Sequence, residues 1–277
     1  MDKILVPTDF SPHALAAFDA AVSISRKTGA SVQLFHVIEV PDSTDIQKTI
    51  VRSTPGDCET LTAIDERLRS LVTNEAYRDT CATYSIDFGI PYQQICGKAK
   101  NESFDLIVTG SHGIGRLEAI MFGSTAQKVV SHARCPVLII HESATCFAPS
   151  NIAFGTGIPA GEACSRDTLE LFATLYNATV HLVRVSTKAK FETARQSKTI
   201  LAAMAKTFGL QQYTINSYND ECVESGLLHF AEDSGADLIF IPTHGKTELR
   251  HLLRKSVAGA MTMISCIPVL TCRIPDR

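Results

Sequence analysis

Along the first half of the chain, short apolar runs alternate with longer stretches whose apolar residues recur at helical spacing. Lys3-Ile4-Leu5-Val6 predicts a compact strand. Ala14, Leu15, Phe18, Ala21, Val22 and Ile24 then predict a helix with one buried stripe, capped by Ser11, opened by Pro12 and ended by Gly29. Ser31 to Ile38 reads as a second strand. A strand, a helix of this length and another strand require a right-handed crossover and hence parallel pairing.

Residues 40–60 are polar and turn-rich, with Pro41, Pro55 and Gly56, and predict a surface excursion. A long helix is expected from about Leu61 to Ala82, with Leu61, Ile64, Leu68, Leu71 and Val72 on one side. The pattern continues with a strand from Tyr84 to Phe88, a helix from Pro91 to Ala99 and a buried strand over 105–109. After a glycine-punctuated turn, Leu117, Ile120 and Met121 fall at helical spacing. A helical run from Ala126 to Ala133 and a last strand from Pro136 to Ile140 complete the half. Five strands alternating with four helices make a doubly wound, Rossmann-like α/β domain.

The chain then repeats itself. Asn151 to Gly157 aligns with Lys3 to Asp9, and Val180 to Val185 with Val32 to Val37, both at an offset of 148. Asp237 to Gly245 aligns with Asp105 to Gly113 at an offset of 132, so the second copy is shorter by 16 residues in its middle, where the 40–60 excursion has no counterpart. Two domains are therefore expected, 1–142 and 150–277, with Glu142 to Ser150 as linker; 277 residues suit two such units.

Candidate chemistry concentrates between Phe104 and Ser124. There an apolar strand runs into Gly110-x2-Gly113-x9-Gly123-Ser124, placing glycines and hydroxyls at a strand's carboxyl end and a helix's amino end. Open α/β sheets bind ligands at that edge, and a helix start offers unpaired N–H groups to an anion. Gly110 and Gly113 allow close backbone approach. Gly123 opens a helix whose N–H groups, with the Ser124 and Thr125 hydroxyls, can cradle phosphate; His112 and Arg116 add positive charge. Asp9, at the end of the first strand, reads equally as an acceptor for ribose hydroxyls and as the cap of its own turn.

This glycine spacing, with His112 and the later Ala133-Arg134-Cys135-Pro136-Val137, resembles the ATP-binding signature of the universal stress protein family. The resemblance implies two tandem nucleotide-binding-type domains and an adenosine pocket lined by Pro7, Thr8, Asp9 and Val37. It implies ATP, alone or with Mg, as the ligand. It also implies pairing of the domains through their last strands, Pro136–Ile140 with Pro268–Cys272, and regulatory work in a stress response through an unidentified protein partner, with a further homodimer open.

The second copy departs from the signature. Asp9 corresponds to Gly157, Gly110 to Pro242 and Gly123 to Lys255; only Gly245 and Ser256 keep the pattern. Pro242 removes a donor and Lys255 fills space that a phosphate needs, so nucleotide is expected in the first domain alone. Lys246, Arg250, Arg254 and Lys255 read as a solvated basic helix start. Gly155-x-Gly157-x-x-Ala160 mimics a dinucleotide fingerprint but carries Pro159 in the turn and no acid after the next strand. Gly245-Lys246-Thr247 lacks the first glycine of a P-loop.

Composition narrows the remaining options. A net charge of -3 makes neither nucleic acid nor an anionic membrane the expected partner. No apolar run approaches a membrane span and Met1-Asp2-Lys3 leads directly into a strand, so the expected compartment is the cytoplasm. Nine cysteines without a CxxC pair read as free thiols in a reducing compartment. No Gly-x-Ser-x-Gly elbow and no paired metal-ligand histidines occur. Three readings stand: a nucleotide-holding regulator, a slow ATPase or nucleotidyl-transfer enzyme, and a nucleotide-free scaffold.

Overall fold

The computed structural model describes residues 1–39, 55–111, 124–141, 147–156, 163–243 and 267–273. The first half runs β1 (Lys3–Pro7), α1 (Pro12–Thr28), β2 (Ser31–Glu39), α2 (Pro55–Val72), β3 (Ala82–Gly89), α3 (Pro91–Asn101), β4 (Leu106–Gly110), α4 (Ser124–His132) and β5 (Val137–Ile140). The second half follows with β6 (Asn151–Gly155), α5 (Ala163–Tyr176), β7 (Thr179–Ser186), α6 (Ala194–Thr207), β8 (Tyr213–Asn219), α7 (Val223–Asp233), β9 (Leu238–Thr243) and β10 (Val269–Arg273).

All ten strands join one sheet in the order β3-β2-β1-β4-β5-β10-β9-β6-β7-β8. Pairing within each half is parallel. The seam is antiparallel, with Val269 opposite Ile139, Leu270 opposite Leu138 and Thr271 opposite Val137. This is the last-strand pairing that the family resemblance implies. Because the seam reverses strand direction, the carboxyl edges of the two halves open on opposite sides of the sheet.

Strand register confirms the repeat residue by residue. Lys3 pairs with Ser31 as Asn151 pairs with Thr179, and Ile4 pairs with Leu106 as Ile152 pairs with Leu238. A shared carboxylate staple fixes the start of each half. Asp105 Oδ2 accepts from the backbone N–H groups of Asp2 and Lys3 at 2.6 and 3.0 Å, and the Asp237 carboxylate accepts from those of Ser150 and Asn151, both at 2.9 Å.

Alternation along the strands splits the core between the two faces. Ile4, Val6, Leu138, Ile140, Ile152, Phe154, Leu270 and Cys272 pack on one face, and Leu5, Val137, Ile139, Ala153 and Val269 on the other. Each of these two layers runs continuously across the seam. Phe147, in the connection, bridges the halves: its carbonyl accepts from Ser23 Oγ of α1 at 3.2 Å, and its ring meets Phe172 and Tyr176 of α5 edge-on. The buried face of α1 is wider than the predicted stripe and includes Ala16, Ala17, Ala20 and Ser25, while Leu15 is half-buried.

Three expectations need correction. The helix read from Leu61 to Ala82 is α2, which starts at Pro55 and ends at Val72; Asn74 then caps a separate 3₁₀ turn, Glu75–Tyr77, by accepting from the Ala76 N–H at 2.9 Å. Strand β3 begins at Ala82, before the expected Tyr84, because it pairs with β2 from Val32 onward. Cysteine usage also differs. Cys81, Cys96, Cys135 and Cys222 are free, and burial pushes the Cys96 and Cys135 thiols up to about 11 and about 12, as inert core residues. Cys272, fully buried at the seam, is instead disulfide-bonded, so cysteine usage no longer argues for a reducing compartment.

Candidate functional site

The carboxyl ends of β1, β2 and β4 meet at one sheet edge, and the turn leaving β1 is built there from its own side chains. Thr8 is buried and continues the β1–β2 ladder by donating its N–H to the Phe35 carbonyl at 2.9 Å. Its hydroxyl accepts from the Phe10 N–H at 3.1 Å, Asp9 Oδ1 accepts from the Ser11 N–H at 3.0 Å, and Ser11 Oγ caps α1 by accepting from the Ala14 N–H at 3.2 Å. These bonds hold Phe10 in the left-handed region at φ 64°, which costs an L-residue about 1–2 kcal/mol. The Phe10 ring is gripped from two sides. His36 lies 4.9 Å away between ring centroids, and the Arg67 guanidinium stands 4.4 Å over its face.

His36 fixes the turn through a second bond. Its Nδ1–H donates to the Thr8 carbonyl at 2.8 Å; a carbonyl can only accept, so this assigns the tautomer.

Among the residues singled out from the sequence, Pro7 ends β1, Thr8 and Asp9 form the turn, and Val37 is half-buried on β2 two residues beyond Phe35, the partner of Pro7. Asp9 serves as the turn cap that one of its two sequence readings anticipated. Gly110 closes β4, Ser124 opens α4, and Thr125 is exposed on the first turn of that helix, which carries no acidic residue there. His112, Gly113, Arg116 and Gly123 lie outside the described residues, as do Gly157, Gly245, Lys246, Arg250, Arg254, Lys255 and Ser256.

Gly110 has a second physical reason beside the one the motif suggests. A Cβ there would stand 2.7 Å from the His13 carbonyl carbon, 2.8 Å from its oxygen and 2.9 Å from the Ala14 nitrogen. The bare backbone therefore lets the first turn of α1 sit against β4. Neighbouring Ser111 is fully buried and its Oγ lies 3.2 Å from His13 Nδ1. Phe10, His13, His36, Arg67 and Ser111 were not singled out as site residues. Phe10 stands inside the Pro7-to-Ser11 turn and could have been read from it; the others depend on contacts between distant segments.

The second half answers the same geometry with different chemistry. Thr156 N–H donates to the Val183 carbonyl at 2.9 Å, matching Thr8 and Phe35. Arg184 occupies the place of His36 and donates from Nη1 to the Thr156 carbonyl at 3.0 Å. Its remaining donors form a two-pronged ion pair with Glu192, and both side chains are mostly buried. Val185, the counterpart of Val37, lies under α7 at Gly226, where a Cβ would come within 2.5 Å of Val185 Cγ1. The segment after β7 is thus tied down over its own strand end.

Gly110→Ala is expected to destabilise the chain by about 1–3 kcal/mol, because backbone rather than a flexible side chain must yield. The urea midpoint measures this, and an unchanged midpoint would contradict the packing reason. Hydrogen bonds from Arg184 hold the Glu192 carboxyl below the ordinary glutamate range. The resulting stabilisation is complete above about pH 4.3, the unfolded value, and is lost as pH falls through the lower folded value. Glu192→Gln should therefore melt below wild type at pH 7, a gap that closes under stronger acid; a gap that does not vary with pH would show that the ion pair contributes nothing.

A model of the universal stress protein family matches residues 1–141. Universal stress protein MJ0577 of Methanocaldococcus jannaschii is 29% identical over 154 residues, a match spanning 50% of this chain and 93% of that protein. Universal stress protein Sll1388 of Synechocystis sp. is 29% identical over 151 residues, covering 50% of this chain and 96% of its own. A crystal structure of a universal stress protein from Archaeoglobus fulgidus aligns over 99% of this chain and 97% of its own with a TM-score of 0.75 at 17% identity, so it shares the fold of both halves together. The chain belongs to the universal stress protein family and carries two domains of that fold in tandem.

Proposed function

We propose that this protein is a nucleotide-holding regulator of a stress response, with one ATP bound at the carboxyl edge of the first half. The observation that carries the reading is the convergence of the Thr8–Asp9 turn, Val37, the end of β4 and the start of α4 on one edge, in the half whose glycine spacing is intact. The groups suit adenosine triphosphate. Pro7 and Val37 supply half-buried apolar surface for a base, and Asp9 a carboxylate for ribose hydroxyls. The α4 start, with Thr125 exposed and no acid in its first turn, is compatible with phosphate; Gly110, Gly113, Gly123 and Ser124 would contribute backbone there, and His112 and Arg116 charge. The ligand is ATP, alone or with Mg.

In this reading residues 1–142 form the nucleotide domain and 150–277 a domain that has lost the function, and the protein works in the cytoplasm. ATP acts by favouring one conformation or one protein partner over another, through its different affinity for each. Among the described residues no helix is long and apolar enough to cross a membrane, and no cluster of metal-ligating side chains occurs.

Denaturing freshly purified protein and counting the released nucleotide tests the assignment. About one ATP per chain is expected, lost in Asp9→Ala and in Gly123→Lys. ADP in its place would favour the slow-ATPase reading. No nucleotide, and no binding when ATP is added back, would leave a nucleotide-free scaffold.

A further inference from the structure

Phe191 is 77% exposed, the highest value among the exposed large hydrophobic residues described, and it sits on a segment that is anything but loose. Between β7 and α6, Thr187 and Lys190 exchange backbone hydrogen bonds at 3.3 and 3.1 Å to close a tight turn, and the Thr187 hydroxyl accepts from the Lys190 N–H at 3.1 Å. Ser186 Oγ accepts from the Glu192 N–H at 3.0 Å. The Arg184–Glu192 ion pair anchors the far side, and the Thr193–Gln196 capping box fixes the start of α6. Phe191 is therefore held out into water by a rigid support on both flanks.

The exposed charges of the segment itself are cationic, while on the neighbouring strand end Asp220, whose N–H donates to the Ser186 carbonyl at 3.1 Å, is engaged by His229 and Glu221 is exposed. Lys188, Lys190, Arg195 and Lys198 are all exposed, and Glu192, the one acid in the segment, is already engaged by Arg184. The first turn of α6 adds Arg195 to these cations and, like the first turns of α1, α3, α4 and α5, holds no acid. An acidic partner segment complements this cationic surface.

We infer that the Phe191 turn is a docking point for an acidic segment of a partner protein that carries an apolar side chain. A single preorganised aromatic flanked in sequence by exposed cations has the scale of a protein hot spot. A lipid surface demands a broader apolar face or a second anchor, and sequence-independent single-strand binding uses successive stacking aromatics along a basic groove. The point lies at the carboxyl edge of the second half, across the sheet from the proposed nucleotide edge, and stands independently of nucleotide binding.

Fluorescence anisotropy of the full chain with a fluorescein-labelled, Asp/Glu-rich peptide bearing two leucines tests this, beside phosphatidylserine vesicles and a single-stranded oligonucleotide. Saturable peptide binding that weakens with salt is expected. It should fall at least tenfold in Phe191→Ser and in the Lys188→Glu/Lys190→Glu pair, and recover in Phe191→Leu, all at unchanged melting temperature. No peptide binding, equal binding by the variants, or preference for vesicles or oligonucleotide would overturn the inference.

Discussion

Parallel strands can be neighbours only if the chain returns by a crossover, and that constraint governs everything else in this molecule. It buries both faces of each half under helices and collects the strand ends of that half on one edge. The antiparallel seam between β5 and β10 then merges the halves into one sheet with two continuous apolar layers, and turns their edges to opposite sides. One fold thus presents two chemically separate edges.

Divergence between the halves is clearest where they superpose best. Both anchor the turn after their first strand with a side chain donating to a threonine carbonyl, His36 to Thr8 and Arg184 to Thr156. Histidine has one further ring nitrogen to offer. Arginine has several further donors, and they capture Glu192, drawing the following segment down over the strand end. The exchange turns an edge shaped by Phe10, His36 and Arg67 into one closed by an ion pair, with Phe191 displayed beside it.

Much of this was legible from the residues. Strand positions and both repeat offsets follow from apolar periodicity and self-alignment, the seam follows from the family resemblance, and β1, β2, β4 and β5 match their counterparts in register. The helix break after Val72 is not legible in the apolar pattern because Leu71 and Val72 carry the spacing to the break, while the cap at Asn74 is a local polar event. Gly110 shows the deeper limit: a sequence marks where a Cβ is not tolerated without saying what approaches, and here it is the backbone of α1. His36, Arg67 and Arg184 act through partners remote in sequence, and the Cys272 disulfide leaves no spacing signal. Half of the glycine signature lies outside the described residues, so its role rests on the family and on the edge around it.

The most direct test of a single nucleotide edge is to photolabel the intact chain with azido-ATP and map the modified peptides. Label confined to the first half, around residues 7–11, 37 and 110–125, and competed by ATP, is the predicted result. Label in the second half, around residues 155–157 or 242–256, or label that ATP fails to displace, would contradict that assignment.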